Sequence, residues 1–258
     1  MAREDMHRRP RLPGPDARVI GQVQGITPSR ALISAGEGLC IHIQPSAIAV
    51  DQALPRVLIA PAGDGALRAG LAPPFSGFVE AADGEDTGLD AECVEAAASG
   101  GLCVSVTTVA AFAYDITAAL GLILEPRFGL GKAGAGAVEM ALGEAIGNAV
   151  IHGNLGIASD LRSNLELLTC FNALVGERLA SPFWSKRRVY VTIVPEPGAI
   201  RVTVRDQGDG WDLASQLARP VEIEAKSGRG LGLIRKLASS VSGGDRGRAL
   251  TMRFASPP

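Results

Sequence analysis

Apolar residues recur with two different periods along the chain, and each period predicts its own elements. Residues 102–106 (Leu, Cys, Val, Ser, Val) read as a strand. Helical spacing then takes over in 108–124, where Val109, Phe112, Ile116, Ala119 or Leu120, and Ile123 fall on one stripe. A second helix is predicted over 133–152, with Val138, Ala141, Leu142, Ala145, Ile146 and Ala149 inward. A third is predicted over 161–180, its stripe running Leu161, Leu165, Leu168, Val175 and Leu179. Residues 188–194 and 199–205 alternate in the strand manner, joined as a hairpin through 195–198. Residues 207–230 read as a flexible segment, 231–241 as a helix and 249–254 as a last strand.

The first hundred residues are patterned differently. Short β-like runs at 18–23, 31–34, 39–43 and 56–60 are separated by Gly, Pro and Ser. Pro73-Pro74 and the acidic, Gly-containing stretch 81–90 punctuate the end. The expected organisation is a tail over 1–17, a small β-containing domain over 18–100 and an α/β domain over 101–255. The tail is basic and Pro-rich without an apolar core, which argues against a secretory signal. His42 reads as an outward strand residue, and Asp83, Glu85, Asp86 and Asp90 as a solvated loop.

Composition narrows the classes of function. A chain of 258 residues has room for two modest domains. A net charge of −2 gives no basic surface of the kind nucleic acid requires. Charge, Gly or Thr interrupts the apolar runs well before the ~18 residues of a membrane span. Cys40, Cys93, Cys103 and Cys170 are isolated, without CxxC spacing, so reduced, buried thiols in the cytoplasm are expected.

Three motifs carry candidate chemistry. Glu144 and Asn148 stand one helical turn apart, with His152 a turn further on, so all three are expected on one face. A solvated polar stripe would give the same row. Asp206 ends a predicted strand and is followed by Gly208 and Gly210, where the backbone can approach a ligand closely. A carboxylate there can accept a hydrogen bond from an exocyclic amine, although Asp-Gly pairs also mark ordinary turns. Gly228, Arg229, Gly230, Leu231 and Gly232 form a second Gly-rich turn at the start of an amphipathic helix, whose N–H groups suit phosphate.

In that order the motifs resemble the N, G1 and G2 boxes of the Bergerat-fold ATPases, the superfamily of gyrase, Hsp90-type chaperones, histidine kinases and MutL proteins. Residues 143–153 and 227–238 are most similar to the anti-sigma factor serine-kinase branch. The resemblance covers about 101–255 and implies a two-layer sandwich of mixed sheet and helices. It also implies ATP and Mg²⁺ as ligands, Glu144 as catalytic base, Asn148 as Mg²⁺ ligand and Asp206 as the adenine-reading carboxylate. Gly208, Gly210, Gly228, Arg229, Gly230, Leu231 and Gly232 would form the nucleotide-binding turns.

Two departures stand out. Arg248 and Ala249 occupy the last-strand stretch where that branch usually has Thr, and 155–186 is a long helical insertion. The run Lys186-Arg187-Arg188 behind the insertion reads as a solvated edge. The resemblance implies an ATP-dependent protein serine/threonine kinase of a partner-switching circuit. Its partner would be an antagonist protein with a phosphorylatable Ser or Thr, with a sigma factor and a homodimer as further expectations. A non-catalytic, ATP-gated binding module with a lid over 211–227 is the alternative. A histidine kinase finds no support, because neither His7, His42 nor His152 lies in a dimerisation-helix setting.

Overall fold

A computed structural model describes residues 17–45, 54–81, 87–158, 165–210 and 229–256, with backbone only at 165–167 and 229. Its strands are β1 (Val19–Val23), β2 (Ile41–Pro45), β3 (Arg56–Ala60), β4 (Phe75–Glu80), β5 (Leu102–Thr107), β6 (Arg188–Glu196), β7 (Ala199–Arg205), β8 (Ser240–Gly244) and β9 (Ala249–Ala255). The helices are α1 (Arg30–Gly38), α2 (Asp64–Leu71), α3 (Ala91–Ala98), α4 (Thr108–Ala113), α5 (Ile116–Phe128), α6 (Gly131–Asn148), α7 (Leu165–Ala180), α8 (Pro182–Ser185) and α9 (Arg229–Leu237). A π-helical turn, Ala149–Asn154, extends α6.

The strands form one nine-stranded sheet in the order β2-β1-β3-β4-β5-β6-β7-β9-β8. From β2 to β5 all neighbours are parallel. From β5 to β8 all are antiparallel. The strands expected at 18–23, 39–43 and 56–60 are present, within the usual shift at element ends. Residues 31–34, expected as a strand, belong instead to α1, where Ser29 caps the helix by accepting from Leu32 N at 3.1 Å. Helices α2 and α3 and strand β4 were not expected. The first half is therefore a doubly wound α/β arrangement that continues into the second half through the β4–β5 pairing.

The mixed α/β architecture expected for 101–255 is what the chain adopts. Apolar residues of β6, β7 and β9 (Val189, Val191, Ile193, Val202, Val204, Met252) face a layer that contains α5, α6 and α9. The opposite face carries Arg201, Thr203, Thr251 and Arg253, and the Thr203 and Thr251 hydroxyls pair at 3.1 Å. Beside this two-layer part, the parallel strands are covered on both sides. Leu67 and Leu71 of α2 join the larger core, and Leu32 of α1 with Val94 and Ala97 of α3 join a second core on the other face.

Residues 108–124 are two helices, not one. Thr107 caps α4 by accepting from Ala110 N, and Asp115 starts α5 by accepting from Ala118 N. The break turns Val109 and Phe112 out to solvent, against expectation, while Ile116, Ala119 and Leu120 are buried as expected. The inner stripe of α6 is buried from Val138 to Ala149 at every expected position. In α7, Val175 is buried but Leu168 is exposed, and Phe171 takes the core position in its stead. Residue 241, expected in a helix, lies in β8. Cys93 and Cys103 are buried, whereas Cys40 is half-buried and Cys170 exposed, which corrects the expectation of four buried thiols. The expected tail over 1–16, the acids Asp83, Glu85 and Asp86, Leu161, Gly228 and the lid over 211–227 lie outside the described residues. Among the described residues no helix is long and apolar enough to cross a membrane.

Three arginines tie the halves together. Arg188 is fully buried and donates to Ser105 Oγ (3.2 Å) and to the Glu80 carbonyl (3.0 Å). Arg127 donates to the Phe75 and Gly101 carbonyls, each at 2.9 Å, and to Ser76 Oγ at 3.0 Å. Arg205 pairs with Asp90 at 2.5 Å and Glu92 at 3.2 Å while its guanidinium lies over the Tyr190 ring. Arg188 corrects the reading of 186–188 as a solvated edge: it opens β6, and its guanidinium is buried against Ser105 of β5 and the Glu80 carbonyl at the end of β4.

Candidate functional site

All three motifs meet at one end of the antiparallel half, between α6, the π-turn, α9 and the exit of β7. Helix α6 brings Glu144 and Asn148 to the same half-buried face, as their spacing requires. Gly230, in the first turn of α9, lies directly against them. A Cβ there would meet Glu144 Oε2, the end of a side chain that would have to swing aside, and sit 3.6 Å from Asn148 Nδ2. Leu231 and Gly232 follow in the same helix, and Leu231 packs on the larger core.

Asp206 sits where β7 ends. Its N–H donates to the Arg248 carbonyl at 3.0 Å, extending the ladder with β9 by one bond. Its Oδ1 accepts from Gly208 N at 2.8 Å, an Asx-type turn that fixes the carboxylate over its own loop. The side chain is only 6 % exposed. Gly153 of the π-turn covers it, and a Cβ at that position would stand 2.6 Å from Oδ1. Gly208 is buried against the Gly153 carbonyl, and Gly210 turns with φ +78° beside Arg246 and Arg248.

Burial in this enclosure pushes the Asp206 carboxyl up to about 6. The Gly208 N–H and the Arg248 and Arg187 guanidiniums oppose the shift, and Asp245 adds to it. The group is thus poised between an acid that can donate and a carboxylate that can accept near neutral pH.

The π-turn changes one expectation. Underwinding after Asn148 takes His152 off the regular i, i+4 register, and its Nδ1 lies 2.5 Å from the Ile157 carbonyl. The same turn brings Gly153 over Asp206 and sends Asn154 into the interior.

Spacing did not point to Gly153, Asn154, Gln207 or Arg187. Asn154 is fully buried. Gln207 donates from Nε2 to Tyr190 Oη at 3.1 Å and accepts from Arg188 N at 2.8 Å. Arg187 lies over Phe183 and Trp184 and donates to the Asn154 carbonyl at 2.9 Å. The one advance signal was the HisGlyAsn run that begins four residues after Asn148.

The arrangement offers two side-chain oxygens and a helix start at one side and a buried carboxylate at the other. A sequence model of the histidine kinase-like ATPase domain matches residues 106–254. No curated protein matches the chain.

Proposed function

The chain belongs to the histidine kinase-like ATPase domain family, and on that premise we propose that it is an ATP-dependent protein serine/threonine kinase of the anti-sigma, partner-switching kind. The observation that carries the reading is the approach of Gly230 to Glu144 and Asn148, together with that of Gly153, one turn beyond Asn148, to Asp206. One ligand with a triphosphate and an amino-bearing base spans those two ends.

In this reading Asp206 accepts from adenine N6, and the start of α9 receives the phosphates. Asn148 would supply an amide oxygen that suits Mg²⁺, a hard cation that keeps several of its waters, and Glu144 stands beside it on the same helix face. When bound, Mg²⁺ neutralises charge on the β- and γ-phosphates. Glu144 takes the proton of an incoming Ser or Thr hydroxyl. That oxygen bonds to the γ-phosphorus while the bond to the β-phosphate oxygen breaks, leaving ADP and a phosphorylated partner.

The partner in this proposal is a separate antagonist protein, with a sigma factor as the protein sequestered in turn. The acceptor hydroxyl must be presented from outside, because Glu144 is half-buried within the site. Labelled ATP given to the purified chain together with extracts or candidate partners is the test. Acid-stable label on Ser or Thr of a second protein supports the reading, and acid-labile label on the isolated chain overturns it. Nucleotide-dependent capture of a partner without label would instead identify an ATP-gated binding module.

A further inference from the structure

We infer that Asn154 is the positioning residue that sets the place of the Asp206 carboxylate, and hence the preference of this site for one purine over another. The base preference rests on the nucleotide reading above; the positioning of the carboxylate does not.

Asn154 ends the π-turn and its side chain is turned into the interior. Every polar atom of its side chain is engaged, and each bond goes to a different element. Nδ2 donates to Thr108 Oγ1 at the start of α4 and to the Arg188 carbonyl of β6, both at 2.9 Å. Oδ1 accepts from Gln207 N at 2.7 Å. That amide belongs to the peptide immediately after Asp206. One side chain, itself 0 % exposed, therefore fixes the segment that leaves β7 to α4 and β6.

Consequences for Asp206 follow from chain geometry. Its backbone is held on one side by the β9 ladder, through the Arg248 carbonyl, and on the other by Asn154, through Gln207 N. With both neighbours fixed, the carboxylate stays under Gly153 and keeps its Oδ1 on Gly208 N. Without Asn154, the Gln207 amide and the Arg188 carbonyl lose buried partners, and the loop must move toward water to satisfy them. Asp206 moves with it. A single misplaced acceptor is enough to change which base edge is read, since an amine donates to a carboxylate and a carbonyl repels it.

The test compares wild type, Asn154→Ala and Thr108→Val by two readouts. The first is the titration of the Asp206 carboxyl in the nucleotide-free protein, followed by carbon NMR with Asp206→Asn to assign it. The second is the ratio of ATP to GTP affinity. We expect the Asp206 midpoint to fall in Asn154→Ala toward the ordinary carboxylate range, and the ratio to drop about tenfold, the size of one lost charge-assisted hydrogen bond. Thr108→Val, which keeps Asn154 and removes one of its partners without changing volume, should move both in the same direction by less, and it decides the matter if Asn154→Ala does not fold. A lowered melting temperature with an unmoved carboxyl titration and an unmoved ratio would overturn the inference and make Asn154 a packing residue only. Wild type that does not distinguish ATP from GTP would sink the adenine reading of Asp206, while the carboxyl titration would still judge the positioning.

Discussion

The parallel half, β1 to β5, and the antiparallel half, β6 to β9, bury the same sheet in different ways. In the first, helices cover both faces, so Val57, Leu58, Ile59 and Ala60 are buried one after another. In the second, β6 is still covered on both faces, by α3 on one of them, but beyond it helices cover one face only, and buried Ile200, Val202 and Val204 of β7 alternate with half-buried Ala199, Arg201, Thr203 and Arg205. The difference is the usual one between parallel and antiparallel sheets. Its lesson here concerns placement of chemistry. The all-apolar layering of the first half leaves its polar groups as ties, such as Glu80 accepting from Thr107 N and Oγ1. In the one-sided second half the helix layer carries Glu144 and Asn148 against the start of α9, and Asp206 leaves β7 under Gly153.

Substitutions that strike one half, the other, or the seam should separate these roles. The largest effect is expected at Glu144. Glu144→Ala should lower phosphoryl transfer by about 10²–10⁴ while the protein still binds nucleotide. Single-turnover measurement with a phosphorylatable partner checks it, and unchanged transfer would show that another group takes the proton.

Next is the seam. Arg188→Met leaves the Glu80 carbonyl and Ser105 without a buried charged donor and should cost about 3–5 kcal/mol. We propose that the halves unfold as one unit, so hydrogen exchange of β3 and of β7 should accelerate together in this variant. Acceleration confined to β6–β9 would break the comparison into two independent domains.

How much of this was legible beforehand depended on period. The stripe of α6 and the hairpin of β6 and β7 were readable because one face of each is apolar and the other is not. Buried parallel strands do not alternate, and α1, α2 and α3 are helices of 8 or 9 residues, little more than two turns, whose signals are caps such as Ser29 and Asp90 rather than stripes. The motifs of the site were visible because each is contiguous. Gly153 over Asp206, and Asn154 bridging α4, β6 and β7, depend on a π-turn and on contacts between distant residues, neither of which spacing reports.

A smaller effect is expected at the α3 side of the seam. Asp90 caps α3, accepting from Glu92 N and Cys93 N, and also pairs with Arg205. Asp90→Ala should cost about 2 kcal/mol, read by urea unfolding, with little change in nucleotide affinity. A large loss of affinity would mean that α3 acts on the Asp206 loop through Arg205.

Smallest is the response to pH. A carboxyl raised to about 6 in the folded chain still holds its proton where the unfolded chain has lost it. Stability therefore falls as pH rises from the ordinary carboxylate range through about 6, and this contribution is absent in Asp206→Asn. Over the same interval the carboxylate form grows, so ADP affinity should rise several-fold in wild type relative to Asp206→Asn. Parallel curves for the two proteins would remove Asp206 from base recognition.

Calorimetry of Mg·ATP binding to wild type and Asp206→Asn at neutral pH tests the account most directly. It predicts saturable one-site binding by wild type and at least a tenfold loss in the variant, the value of one charge-assisted hydrogen bond at about 1.4 kcal/mol per factor of ten, with the melting temperature preserved. Equal affinity in both proteins, or no binding by the wild type, would contradict it.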